Sequence, residues 1–150
     1  MPPTVLKQLQ NSFPVANEQL ARSYDNLRDQ FVQSAPDVSV LVLLSGDGLA
    51  LAAYGLDVDS ADPVAAACSG LQSIGAALSN SLNGGGVKYH NITLVNGHLV
   101  ITGCGDRSIL IALIRDGGRI GSSIRETVRI ADGFAPQMAS DPRAFDETAQ

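Results

Sequence analysis

Two nearly uninterrupted apolar segments constrain the fold of this chain more than any other feature of its sequence. Residues 38–44 read VSVLVLL and residues 107–114 read RSILIALI, and both are rich in β-branched side chains. A strand that is apolar on both of its faces needs cover on both faces. We therefore place both segments at the centre of one β-sheet, with helices packed against each side of that sheet.

Three weaker strands are predicted around this centre. They cover residues 49–54, 89–95 and 98–104. The first two are expected at the edges of the sheet, because the second alternates in polarity and the first is short. Asn96-Gly97 is a strong signal for a two-residue hairpin between the strands 89–95 and 98–104. Hairpin pairing of neighbouring strands then predicts a five-stranded antiparallel sheet. With the five strands numbered along the chain, their order in the sheet is second, first, fifth, fourth, third.

Three segments with helical periodicity complete the pattern. Asn17 is a candidate N-cap for the first helix, and Leu20, Tyr24, Leu27 and Phe31 form its apolar stripe. The second helix is expected to open at Asp62 and Pro63, and the third near Arg119. The predicted element order is αββαβββα, so the fold class is α+β with helices on both faces of the sheet.

The length of 150 residues favours one domain. Residues 1–16 contain three prolines without clear periodicity, and we interpret them as a flexible N-terminal arm. We expect the domain over residues 17–139 and a disordered acidic tail over residues 140–150.

Composition and charge argue against several classes of partner. Only 17% of the residues are charged, and the formal net charge is −5. The ten Lys and Arg residues form no basic patch, so we expect no nucleic-acid partner. No run of about 18 apolar residues occurs, which argues against membrane insertion. The first residues lack the charged start and apolar run of a signal peptide, so a cytoplasmic location is expected.

Candidate catalytic and metal-binding residues are few. Cys68 and Cys104 lie far apart in apolar stretches, which favours buried free thiols. His90 and His98 flank one hairpin, and two imidazoles alone do not make a metal site. The segment GGRIGSS at 117–123 lacks the lysine and the spacing of a phosphate-binding loop. We therefore expect a protein that is not an enzyme and that has no catalytic residues, no cofactor and no metal.

The middle helix has an unusual pattern, because residues 63–87 contain no charged side chain. One face is apolar, and we expect it to pack on the sheet; it comprises Val64, Cys68, Leu71, Ile74, Gly75, Leu78 and Leu82. The opposite face is small and neutral; it comprises Ala66, Ser69, Ser73, Ala76, Ala77 and Asn80. We interpret the small face as a contact surface, since small side chains let two backbones approach closely. The alternative is an ordinary amphipathic helix with a mildly polar outer face.

The chain resembles the roadblock/dynein light chain domain in its bacterial form. The matching segments are VLVLLSGDGLALAAYG at 40–55, ADPVAAACSGLQSIGAALSNSL at 61–82 and LVITGCGDRSILIALIRDGGRIGSSIRETVRIA at 99–131. Their order and spacing are more specific than any one of them, and the resemblance covers about residues 20–139. It implies a roadblock fold, which is similar to that of profilin.

The resemblance also implies a function. Such proteins form homodimers in which two sheets join edge to edge and the middle helices lie side by side. The paired helices are a platform for Ras-like small GTPases, and some bacterial members promote GTP hydrolysis. On this basis we expect the dimer or partner contacts to include Ala66, Ser69, Gln72, Ser73, Ala76, Ala77 and Asn80 of the helix, and Tyr89, Asn91 and Thr93 of the edge strand.

Two functions therefore compete. The first is a homodimeric adaptor that binds and regulates a Ras-like small GTPase. The second is a structural dimerisation scaffold in a signalling complex, without effect on nucleotide turnover. A small-molecule sensor or an enzyme of another type is a third reading. Fold alone does not separate these functions.

Overall fold

The predicted element order is present in the computed structural model of the chain, which describes residues 6–105 and 107–138. The helices are α1 (Glu18–Ser34), α2 (Val58–Leu82) and α3 (Ile120–Met138), with a short 3-10 turn at Leu6–Gln8. The strands are β1 (Val38–Leu44), β2 (Ala50–Tyr54), β3 (Tyr89–Leu94), β4 (Gly97–Gly103) and β5 (Ile109–Arg115). The αββαβββα prediction is confirmed.

The five strands form one antiparallel sheet in the order β2-β1-β5-β4-β3, which confirms the predicted topology. The two continuous apolar strands, β1 and β5, lie at or next to the centre. Alternate residues of β1 enter two separate cores: Leu43 packs with α1 and α3 on one face, and Val42 packs with α2 on the other. The sheet is thus covered on both faces, as strands without a polar face require.

Two helix starts test the capping arguments. Asn17 caps α1, because its side chain accepts hydrogen bonds from the backbone N–H groups of Gln19 and Leu20. The predicted start of α2 was wrong: the helix begins at Val58, and the carboxylate of Asp57 caps it. Pro63 therefore lies inside the helix. Its missing N–H removes one bond near an exposed helix end, and the Asp57 cap offsets part of that loss.

The described part of the N-terminal segment is bonded to the edge strand β2, although the sequence analysis expects a flexible arm over residues 1–16. The Ser12 backbone N–H donates to the Ala53 carbonyl at 2.8 Å, and the Ala53 N–H donates to Asn11 Oδ1 at 2.9 Å. The Arg28 guanidinium also donates to the Leu9 carbonyl at 2.6 Å. Residues 11 and 12 thus cover the outer edge of β2 at Ala53. Residues 1–5 and 139–150 lie outside the described residues, so the domain boundaries stay a prediction.

Asp37 joins the start of β1 to the turn before α3. Its Oδ1 accepts from the guanidinium of Arg115 at 2.9 Å, and its Oδ2 accepts from the backbone N–H of Arg119 at 2.8 Å. The bond from Arg119, with the nearby Arg115 charge, lowers the pKa of the Asp37 carboxyl below its usual range. The ionised carboxylate therefore stabilises this end of the fold.

The lowered pKa predicts a pH-dependent contribution of Asp37 to stability. A carboxyl whose pKa is lower in the folded state stabilises above its unfolded pKa of about 4, and that stability is lost as pH falls through the folded value. Asp37→Asn should therefore cost about 1 kcal/mol at pH 7 and almost nothing at pH 2. Urea unfolding of both chains at the two pH values measures this. Asp116→Asn, in the same turn, should change neither value, and an equal loss from Asp37→Asn at both pH values would contradict the prediction.

Candidate interaction surface on helix α2 and strand β3

Helix α2 contacts the sheet with a narrow line of residues. Ala61, Ala65 and Cys68 are buried, and Gln72 and Gly75 continue the line as half-buried residues. Most of these side chains are small, so the helix lies close to the strands. The contact is tightest in the N-terminal half of α2.

The C-terminal half of α2 leaves an apolar stripe uncovered, which corrects one expectation. The sequence analysis placed Ile74, Leu78 and Leu82 against the sheet, but their exposed fractions are 60%, 58% and 76%. They lie to one side of the line that contacts the sheet, because each residue turns the helix by about 100°. We call these three residues the apolar stripe of α2. Nothing in residues 6–105 or 107–138 covers it.

Strand β3 approaches α2 most closely at His90. A Cβ added to Gly75 would lie 2.5 Å from Nε2 of His90 and 3.2 Å from Cγ2 of Val87. A larger residue at position 75 would require the imidazole ring to shift from this position. The Nδ1 of His90 is buried, and no described residue forms a hydrogen bond with it.

Strand β3 is also the open edge of the sheet. It pairs with β4 on one side, and within the described residues no strand pairs with the other side. Its side chains alternate: His90 and Ile92 face α2, whereas Tyr89, Asn91 and Thr93 are exposed on the opposite face. The other edge of the sheet, β2, is covered by residues 11 and 12. The two edges therefore differ, and β3 is the one free to pair.

A groove of about 830 Å³ lies on the other side of α2 from the apolar stripe. Ser69, Ser73 and Ala76 of α2 form one wall, and Gly46 and Arg107 of the two turns at this end of the sheet form the other. These turns pack tightly together, because a Cβ at Gly46 would lie 2.6 Å from the Arg107 Cβ. The groove is mixed in character, with serine residues along α2 and both Asp47 and Arg107 on the opposite wall.

Gln72 adds an unused hydrogen-bonding group to this groove. Its side chain lines the groove, and its Oε1 is buried without a hydrogen bond from any described residue. A buried acceptor without a donor is uncommon in native proteins. A donor from a bound partner would satisfy it.

The structure divides the predicted contact residues between three places. Ser69, Gln72, Ser73 and Ala76 line the groove, and Ala66, Ala77 and Asn80 are exposed on the outer side of α2. The three residues of β3 point away from the helix. The apolar stripe and His90 were not among the contact residues predicted from the sequence. The helical periodicity of α2 and the alternation of β3 show which residues share a face, but they do not show whether that face is covered.

The two cysteines lack the features of reactive thiols, and the described residues contain no cluster of metal-ligating side chains. Both cysteines are free and buried. Burial raises the pKa of the Cys68 thiol to about 11 and, with a smaller effect from Asp132, that of Cys104 to about 12. Within residues 6–105 and 107–138, no cluster of three metal-ligating side chains occurs. None of the described helices is long and apolar enough to cross a membrane.

The fold and this surface define a class of α+β interaction domains, in which one helix and one open sheet edge form a continuous exposed face. Within that class, the chain belongs to the Roadblock/LC7 family, because the model of the Roadblock/LC7 domain matches residues 24–114. The resemblance noted in the sequence is thus confirmed. No curated protein matches the chain in a sequence comparison.

Solved structures agree with this assignment. A Roadblock/LC7 domain from Streptomyces avermitilis is 30% identical; the match covers 75% of this chain and 94% of that one, with a TM-score of 0.68. The gliding protein MglB from Thermus thermophilus is 14% identical; the match covers 91% of this chain and 96% of that one, with a TM-score of 0.69. MglB from Myxococcus xanthus is 14% identical; the match covers 85% of this chain and 96% of that one, with a TM-score of 0.72. The two MglB proteins support the fold alone.

Proposed function

We propose that this chain is a non-enzymatic homodimeric adaptor that binds and regulates a Ras-like small GTPase. The observation that carries the proposal is the apolar stripe of α2, which lies uncovered on the part of the helix that has no charged residue. It lies beside β3, the sheet edge that is open among the described residues. A folded chain rarely leaves such a contiguous apolar surface in water unless a partner covers it.

A second copy of the chain fits both parts of this surface. Pairing of two β3 edges would satisfy the unpaired backbone groups of both strands and remove an aggregation hazard. A two-fold axis beside β3 would at the same time bring the two apolar stripes together. The covered β2 edge supports this arrangement, since residues 11 and 12 already occupy the competing position.

The GTPase is proposed to bind at the groove and the small face of α2. This surface lies on the other side of the helix from the apolar stripe, so dimerisation leaves it free. In this groove, Oε1 of Gln72 would accept a hydrogen bond from such a partner. The guanidinium of Arg107 would bind an anionic group of that partner. Family membership supports the choice of a Ras-like GTPase, as the resemblance implies. One MglB structure of the same fold is described as having a tetrameric arrangement, which supports association between copies.

The partner proposal is tested with the Ras-like GTPases of the organism that encodes this chain, each loaded with GDP or with a GTP analogue. A regulator must bind the two nucleotide states with different affinity, because a ligand shifts an equilibrium only by that difference. We expect a preference of about tenfold, measured by isothermal titration calorimetry, and a changed rate of GTP hydrolysis or nucleotide exchange. Equal affinity with unchanged turnover would leave the scaffold function.

A charge introduced into the groove tests whether the GTPase binds there. Ser73→Glu should weaken binding of the GTPase by about tenfold or more, because it places an unpaired carboxylate in the proposed interface. Gln33→Glu, on the exposed side of α1 across the sheet, serves as the control and should bind like the wild type. Identical binding by all three chains would place the GTPase elsewhere.

A further inference from the structure

His90 occupies an unusual position in the proposed dimer surface. Its ring is the contact between β3 and α2, the two elements that would meet the second copy. Its Nδ1 is buried and has no hydrogen-bond partner among residues 6–105 and 107–138. Gly75 lets the ring approach the helix so closely that no side chain fits between them.

The surroundings of His90 contain no group that could balance a positive charge. The stretch from Pro63 to Gly105 covers most of α2 and all of β3 and β4, and it contains no Asp or Glu. Its titratable and charged side chains are Cys68, Lys88, Tyr89, His90, His98 and Cys104. The residue opposite His90 on β4 is Ile101, and on α2 it is Gly75. The carboxylates of these three elements are Asp59 and Asp62 at the start of α2, about 20 Å or more along the helix from Gly75, so neither faces the ring.

Protonation changes what this ring requires. A neutral imidazole carries one N–H, whereas the imidazolium carries an N–H at both nitrogens and a positive charge. The buried Nδ1–H of the charged form would find no acceptor in the described structure, and a buried donor without an acceptor is costly. Separation of β3 from α2 would give this N–H access to water.

We propose that His90 makes association of two copies of this chain pH-sensitive: its protonation separates α2 from β3 and weakens the dimer. The inference rests on the proposed homodimer, whose interface comprises these two elements. Histidine as a residue type ordinarily changes its charge between about pH 5 and 8, which sets the pH range over which association is to be measured. Since both copies carry His90, the dimer takes up a proton at two equivalent positions.

The test is sedimentation equilibrium of the full chain at pH 7.5 and pH 5.5, at constant ionic strength. The wild-type dissociation constant should rise by at least about tenfold at the lower pH. His90→Gln, which keeps a polar side chain but does not titrate, should show no such rise. His98→Gln removes the other histidine, whose ring lies near Thr93 on the opposite face, and should respond like the wild type.

The outcomes separate this inference from the homodimer itself. A dissociation constant that does not change with pH, or that changes equally in His90→Gln, would overturn the role of His90. A monomer at pH 7.5 would overturn the homodimer. In that case, hydrogen exchange of the amides of residues 72–79, corrected for intrinsic rates, still decides whether α2 loosens at pH 5.5 in the wild type alone. His90→Asn repeats each measurement if His90→Gln does not fold.

Discussion

Leu78→Glu is expected to convert the proposed dimer into a monomer at micromolar concentration. The Leu78 side chain is 58% exposed in one copy and lies in the middle of the apolar stripe of α2. In the proposed dimer it is buried against the second copy, where an unpaired carboxylate costs on the order of 3 kcal/mol. The dissociation constant should then rise by about 100-fold or more, as measured by sedimentation equilibrium.

Leu49→Glu is the matched control for this experiment. Leu49 lies in the turn between β1 and β2 and is 51% exposed, so it tests the same chemical change at a similar exposure. It should leave the dimer intact, and both variants should fold with stabilities within about 0.5 kcal/mol of the wild-type monomer. Equal loss of association in the two variants would show a general effect of charge, and no loss in either would place the interface away from the apolar stripe.

Gly75→Ala is expected to lower the free energy of unfolding by about 2 kcal/mol, although alanine ordinarily stabilises a helix. The added Cβ would overlap the imidazole of His90 at 2.5 Å and press on Val87 at 3.2 Å. Overpacking of this kind forces side chains off their rotamers or shifts the backbone. Urea unfolding at one fixed protein concentration measures the loss, since the stability of a dimer depends on concentration.

Two further variants test whether the contact with His90 causes the loss of stability in Gly75→Ala. Gly70 lies in the same helix, and a Cβ there would meet nothing within 4 Å. Gly70→Ala should therefore stabilise the chain by about 0.5–1 kcal/mol through backbone entropy alone. In the double variant Gly75→Ala with His90→Ala, removal of the ring should recover most of the loss. Stabilisation by Gly75→Ala to the same extent as Gly70→Ala would show that α2 does not rest on His90.

The sheet was predictable because its signals are local. The continuous apolar character of residues 38–44 requires cover on both faces wherever that strand lies, and Asn96-Gly97 favours a hairpin wherever it occurs. Once neighbouring strands pair, few orders of five strands remain. The start of α2 was missed for a local reason too: Pro63 was read as a first-turn residue, whereas Asp57 supplies the cap.

The contact surface depended on tertiary structure. Helical periodicity determined that Ile74, Leu78 and Leu82 share a face, but periodicity does not specify what that face meets. The direction in which α2 crosses the sheet left these side chains in solvent. The cover over β2 was equally non-local, because Asn11 bonds to Ala53 across a separation of 42 residues.

The sequence by itself thus determined the fold class, the strand order and the family, because those follow from local patterns of apolar and turn residues. The tertiary structure decided which sheet edge is open, which face of α2 is uncovered and that His90 rests on Gly75. These features arise where segments distant in the chain approach each other. Their free energies depend on shapes and distances that no local pattern of residues contains.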